Sequence, residues 1–110
     1  MADSHDELPE INADEAIELV AGGAILIDVR EQGEWDAGHA PGAQLLPMSV
    51  IRGRLDELPA DRQLLVICEL GGRSLRVTSL LRQAGYDAVN VAGGMSTWVA
   101  VGGPIEQPAS

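Results

Sequence analysis

Apolar positions along this chain alternate between short continuous runs and helically spaced sets. Residues 24–29 (Ala-Ile-Leu-Ile-Asp-Val) form an unbroken apolar run closing on an acid, and Gln63 leads into a second run, Leu64-Leu65-Val66-Ile67. Runs of this kind predict strands buried on both faces, as in a parallel sheet. Residues 43–46 predict a short strand stopped by Pro47, and residues 88–91 predict a last one. Between them the period changes. Asn12 and Glu15 have N-cap and N3 spacing, followed by Ala16, Ile17, Val20 and Ala21 at helical spacing and ended by Gly22-Gly23. Residues 31–37 predict two helical turns, and Gly38-His39-Ala40-Pro41-Gly42 a turn. Residues 49–58 predict a modest helix ended by Pro59. Residues 74–84 predict a strong one, with Val77, Leu80, Leu81 and Ala84 on one face and Gly85 as its stop. Residues 96–101 predict a terminal helix, with fraying from Gly102. Alternating strands and helices give an α/β domain whose largely parallel sheet is covered on both faces. Residues 10–103 are expected to form it, between an acidic lead-in over 1–9 and a tail over 104–110. Ligands in such sheets bind where strand C-termini meet helix N-termini.

Composition narrows the function classes. A chain of 110 residues suits one domain. Its single cysteine excludes an intramolecular disulfide and a cysteine-clustered zinc or iron–sulfur site, so no metal is expected. The formal charge is −10, and it sits in residues 1–45, with eleven acids against Arg30 alone; residues 46–110 balance six acids with six arginines. This acidity argues against nucleic acid or an anionic membrane as partner. The acidic first half reads as a solvated surface, and His5 carries no signal. The opening ten residues lack the pattern of a secretory or transit segment. The uncharged run over 88–105 contains Asn90, Pro104, Gly93-Gly94 and Gly102-Gly103, which reads as strand, turn and short helix rather than a membrane span. A cytoplasmic location, with a reduced thiol, is the expectation.

The chemistry concentrates at Cys68. It follows the run 64–67 and precedes Glu69-Leu70-Gly71-Gly72-Arg73-Ser74, which opens a helix. A helix N-terminus favours a thiolate. Gly71 and Gly72 let the loop curl so that successive N–H groups point inward. Arg73 adds a positive charge at the mouth. A thiolate there is a competent nucleophile. Two features weigh against this reading. A cysteine after an apolar strand also suits a small buried hydrophobe, and the adjacent Glu69 carboxylate opposes thiolate formation unless it points outward.

The segment Cys68-x-x-Gly71-x-Arg73-Ser74 resembles the active-site loop of the rhodanese family, the single-domain sulfurtransferases. Two flanking segments are similar to that family's signatures. One is Asp28-Val29-Arg30-Glu31, then Glu34-Trp35, then residues 38–43; the other is Gly85-Tyr86-Asp87-Ala88-Val89 running into residues 93–98. The resemblance covers residues 10 to 102. It implies a five-stranded, mainly parallel sheet and a two-step sulfur transfer through a Cys68 persulfide, cradled by the backbone of residues 69–74. The donor it implies is thiosulfate or a small-molecule or protein persulfide; the acceptor is a thiol, or cyanide in an assay. No cofactor is implied. Cysteine phosphatases of similar fold place the loop arginine one residue further on, so the spacing here favours sulfur over an oxyanion. Glu69 and Leu70 stand where thiosulfate-using members often carry basic residues, which favours a persulfide or protein donor.

Around the loop, Arg30 is a candidate for binding an anionic donor, against an ion pair with Glu34 or Asp28. Asp28 is expected to fix loop backbone, and His39 to bond neighbouring backbone rather than act as a base. Trp35, Tyr86 and Trp98 are read as packing residues. The competing functional readings are a non-catalytic interaction or regulatory module of the same fold, and a cysteine phosphatase or arsenate reductase.

Overall fold

The computed structural model describes residues 8–107. Five strands, β1 (Glu10–Ile11), β2 (Ile25–Asp28), β3 (Gln44–Leu45), β4 (Leu64–Ile67) and β5 (Ala88–Val91), form one sheet in the order β1-β5-β4-β2-β3. Every pairing is parallel, with β4 central: Leu26 lies opposite Leu65 and Val66 opposite Asn90. All strand C-termini therefore share one edge. Four helices, α1 (Ala13–Ala21), α2 (Gln32–Asp36), α3 (Gly72–Gln83) and α4 (Gly94–Ala100), connect or follow the strands. Among the described residues no helix is long and apolar enough to cross a membrane.

Strand alternation divides the core in two. Ile27, Val29, Leu64, Val66 and Cys68 face α3, packing with Val77, Leu81, Ile51 and Leu58. Leu26, Leu65, Ile67 and Val91 face the other way, onto Ala16 of α1 and Met95 and Trp98 of α4. Burial on both faces is why β2 and β4 read as unbroken apolar runs. Asn12 caps α1 as its spacing predicts, accepting the Glu15 N–H at 2.8 Å.

Several elements differ from the sequence expectation. Residues 49–58 hold two short 3-10 turns, Ile51–Gly53 and Leu55–Glu57, instead of a helix. Gly53 interrupts the segment and weakens helix propensity there. Helix α3 starts at Gly72, two residues early, and its buried stripe is Ser74, Val77, Thr78 and Leu81; Ala84, at the C-cap, is exposed. The strand β1 lies in a segment without apolar alternation; the sheet supplies its ladder, with Pro9 O accepting from Asn90 N and Ile11 O from Ala92 N. Residues 103–107 are bonded to the domain rather than frayed. Trp98 Nε1 donates to Pro104 O at 2.8 Å, and His39 and Glu106 exchange both backbone hydrogen bonds. Residues 1–7, with His5, and residues 108–110 lie outside the described residues.

Candidate active site

Cys68 stands one residue beyond β4, at the shared C-terminal edge, and is 1% exposed. Alternation carries its side chain to the α3 side. The chain then turns through Gly71 at φ +106°, a left-handed conformation that suits glycine. The Gly71 N–H donates to Cys68 Sγ at 3.1 Å. No side chain caps α3, so its first N–H groups remain open toward the loop.

The loop is also held from behind. Met95 N donates to Cys68 O at 2.7 Å and Ser96 N to Glu69 O at 3.0 Å, so the first turn of α4 fixes two loop carbonyls. This approach needs Gly94. A Cβ there would lie 2.5 Å from the Glu69 carbonyl carbon and closer to the Cys68 oxygen, and Gly94 has φ +60°. The Gly93-Gly94 pair is thus a backbone-to-backbone contact with the cysteine loop.

Burial alone pushes the Cys68 thiol pKa up. Hydrogen bonding from the Ser74 hydroxyl and from the N–H groups of Ser74, Gly71 and Leu70 outweighs it, and the net direction is down. Ser74 is fully buried, and its Oγ also has Gly71 O at 3.2 Å. The hydroxyl donates to Gly71 O here, and an ionised sulfur beside it is a stronger acceptor.

Arg73 is placed differently from expectation, while Arg30 takes one of the two ion pairs expected for it. Arg73 does not present a free cation to the loop mouth: its guanidinium forms two 2.7 Å hydrogen bonds with the Glu34 carboxylate. That contact is the main reason the Glu34 carboxyl is held at about 2, with burial opposing it. The same pair raises the Arg73 pKa; burial opposes this too, and the nearby Cys68 charge adds a smaller upward push. Arg30 takes the ion pair with Asp28, not with Glu34. Its Nε and Nη2 donate to Asp28 at 2.9–3.1 Å, Nη2 also donates to Gly38 O at 2.8 Å, and Nη1 donates to Glu69 at 3.2 Å. Both Arg30 and Asp28 are buried, so this pair is a tie between the β2 end, the turn at Gly38 and the cysteine loop. Glu69 is therefore compensated by Arg30. His39 Nδ1 lies 3.0 Å from Trp35 O and its ring stacks on Trp35 at 3.6 Å, a packing arrangement.

The fold brings Asp28, Arg30, Cys68, Glu69, Gly71, Arg73 and Ser74 together around one loop. Leu70 is 75% exposed. An open groove of about 400 Å³ runs along the Glu69 side, between Arg30, Glu34 and Gly38 and the apolar Met95, Val99 and Ile105. Cys68 is not in its wall. Sequence reasoning missed Glu34 as the partner of Arg73 and the α4 N–H groups as loop anchors. The spacing of Glu34 from Arg30 points to the wrong arginine, and backbone donors leave no signal in side-chain identity.

A family model described as rhodanese-like domain matches residues 12–101. A sulfurtransferase of Allochromatium vinosum is 39% identical over 85 residues, covering 76% of this chain and 79% of that protein. The probable adenylyltransferase/sulfurtransferase MoeZ of Mycobacterium tuberculosis is 43% identical over 76 residues, 66% of this chain; the match spans only 19% of that longer protein. A rhodanese-related protein from Thermoplasma volcanium superposes with a TM-score of 0.87 at 31% identity, covering 91% of this chain and 99% of that one.

Proposed function

This chain belongs to the rhodanese-like domain family, and from that premise we propose that it transfers sulfane sulfur through a persulfide on Cys68. The observation that carries the reading is the sulfur's setting: a thiol at the open N-terminus of α3, hydrogen-bonded by Gly71 N–H and lowered in pKa by Ser74 and the loop backbone.

In the first step the Cys68 thiolate attacks the outer sulfur of a donor. With a persulfide R–S–SH the donor's S–S bond breaks, R–S⁻ leaves, and Cys68–S–SH forms. With thiosulfate the leaving group is sulfite and the product is Cys68–S–S⁻. The loop N–H groups that lower the thiol also suit the terminal sulfur of the persulfide, as donors aimed at developing charge. In the second step an acceptor thiolate or cyanide takes that outer sulfur and returns the Cys68 thiolate. Sulfur carries the electrons in both steps, so the chemistry asks for no cofactor.

The test is intact-mass measurement after incubation with thiosulfate or a persulfide. The expected result is a gain of one sulfur atom that cyanide removes and that Cys68→Ser abolishes. No adduct with any donor would leave the interaction-module reading in its place. Hydrolysis of an aryl phosphate would favour a phosphatase.

A further inference from the structure

We propose that Glu34 is a specificity-determining residue that turns the site away from thiosulfate and toward persulfide donors, by holding Arg73 in a closed ion pair. The proposal rests on the sulfurtransferase reading above and deepens it.

The argument is a charge balance at the loop. Two guanidiniums, Arg30 and Arg73, stand beside three carboxylates, Asp28, Glu34 and Glu69, and every one of these groups is paired with another of the set. These five groups therefore sum to one excess negative charge before the thiol ionises. Arg52 and Arg76 have no partner among the described residues; they line a second hollow with Met48, Ile51, Val77 and Leu80, along α3. Among the described residues, neither Arg30 nor Arg73 is left unpaired for a dianion. Thiosulfate is a dianion whose charge is shared between the transferred sulfur and the sulfonate bonded to it, and the sulfonate carries its share away as sulfite. To be neutralised there it must take Arg73 from Glu34, breaking two charge-assisted hydrogen bonds of 2.7 Å. A persulfide with a neutral or cationic flank needs only the loop N–H groups.

Glu34 sits at the third position of α2, and its Oε1 also accepts the N–H of Glu31 at 3.0 Å. A glutamine keeps an oxygen for that capping bond while removing the charge. The pair is about one-third exposed on both sides, so exchanging it does not empty a core site.

The experiment compares donors on the intact chain: thiosulfate and cysteamine persulfide, with kcat/KM for each in wild type, Glu34→Gln, Glu34→Asp and the double variant Glu34→Gln/Arg73→Gln. Glu34→Gln should raise the thiosulfate-to-persulfide ratio about tenfold, the size of one hydrogen bond to a charged group. Glu34→Asp keeps the charge and should stay near wild type; the double variant should lose the gain, because Arg73 is what thiosulfate would use. The ratio is insensitive to a change in thiol pKa, since both donors meet the same thiolate. If Glu34→Gln does not fold, Glu34→Ala provides the same comparison. Persulfide loading in all variants with an unchanged ratio would overturn the role of Glu34 alone. No sulfur loading from any donor in wild type would take down the sulfurtransferase reading and this inference with it.

Discussion

Ser74 is one of the residues that set the state of the sulfur. It is fully buried and its hydroxyl is among the groups that lower the Cys68 thiol; the loop motif marks its position in the sequence, but not its burial or what its hydroxyl meets. A lowered thiol pKa means that the nucleophile is formed as pH rises through a value below that of ordinary cysteine. Ser74→Ala removes a donor to the thiolate, so the profile of Cys68 alkylation against pH should move to higher pH. Its rate should fall several-fold below the wild-type inflection and recover well above it. An unshifted profile would show that the backbone N–H groups alone set the thiol. At the same scale, Arg30 and Glu69 reverse an expectation. The carboxylate beside Cys68 opposes a thiolate only when uncompensated, and here the buried Arg30 pairs with it.

Among elements, α4 contributes most to the loop without placing a side chain on the sulfur. Its N–H groups at Met95 and Ser96 hold the carbonyls of Cys68 and Glu69, and Gly94 is the point of contact. Gly94→Ala forces a Cβ into that backbone and places alanine at positive φ. We expect a loss of about 2–5 kcal/mol in urea unfolding, from strain and overpacking together, with slower Cys68 alkylation in whatever folds. Unchanged stability would mean the loop yields freely and α4 does not anchor it. The sequence carries the Gly93-Gly94 pair in plain view, yet nothing in it says what the pair approaches, because the partner lies more than twenty residues earlier. The segment over 49–58 shows the opposite error. Its apolar positions are legible, and Ile51 and Leu58 are indeed buried, but packing against β2 and α3 holds them as 3-10 turns rather than one helix.

At the scale of the whole molecule, Trp98 joins the parts that local patterns treat separately. It is 1% exposed, packs in the core layer of Ala16 and Val91, and holds Pro104 O with its indole N–H. Trp98→Ala should cost about 3–5 kcal/mol by urea denaturation, typical of a large buried aromatic. A loss below about 1 kcal/mol would mean that the layer closes over the gap. Charge is also organised at this scale. Glu34, drawn from the acidic first half, reaches across the fold to neutralise Arg73 of the second half beside the cysteine loop. The sequence by itself determined the α/β class, the two central strands, the α3 helix and the position of Cys68 at a strand end. Each follows from periodicity or local backbone chemistry within a few residues. Only the tertiary structure decided the β1 ladder, the α4 anchor on the loop, the partner of Arg73 and the reach of Arg30 to Glu69. Those depend on groups brought together from distant parts of the chain, 39 positions apart for Glu34 with Arg73 and for Arg30 with Glu69, and a charge shows its sign in a sequence but its balance only in space.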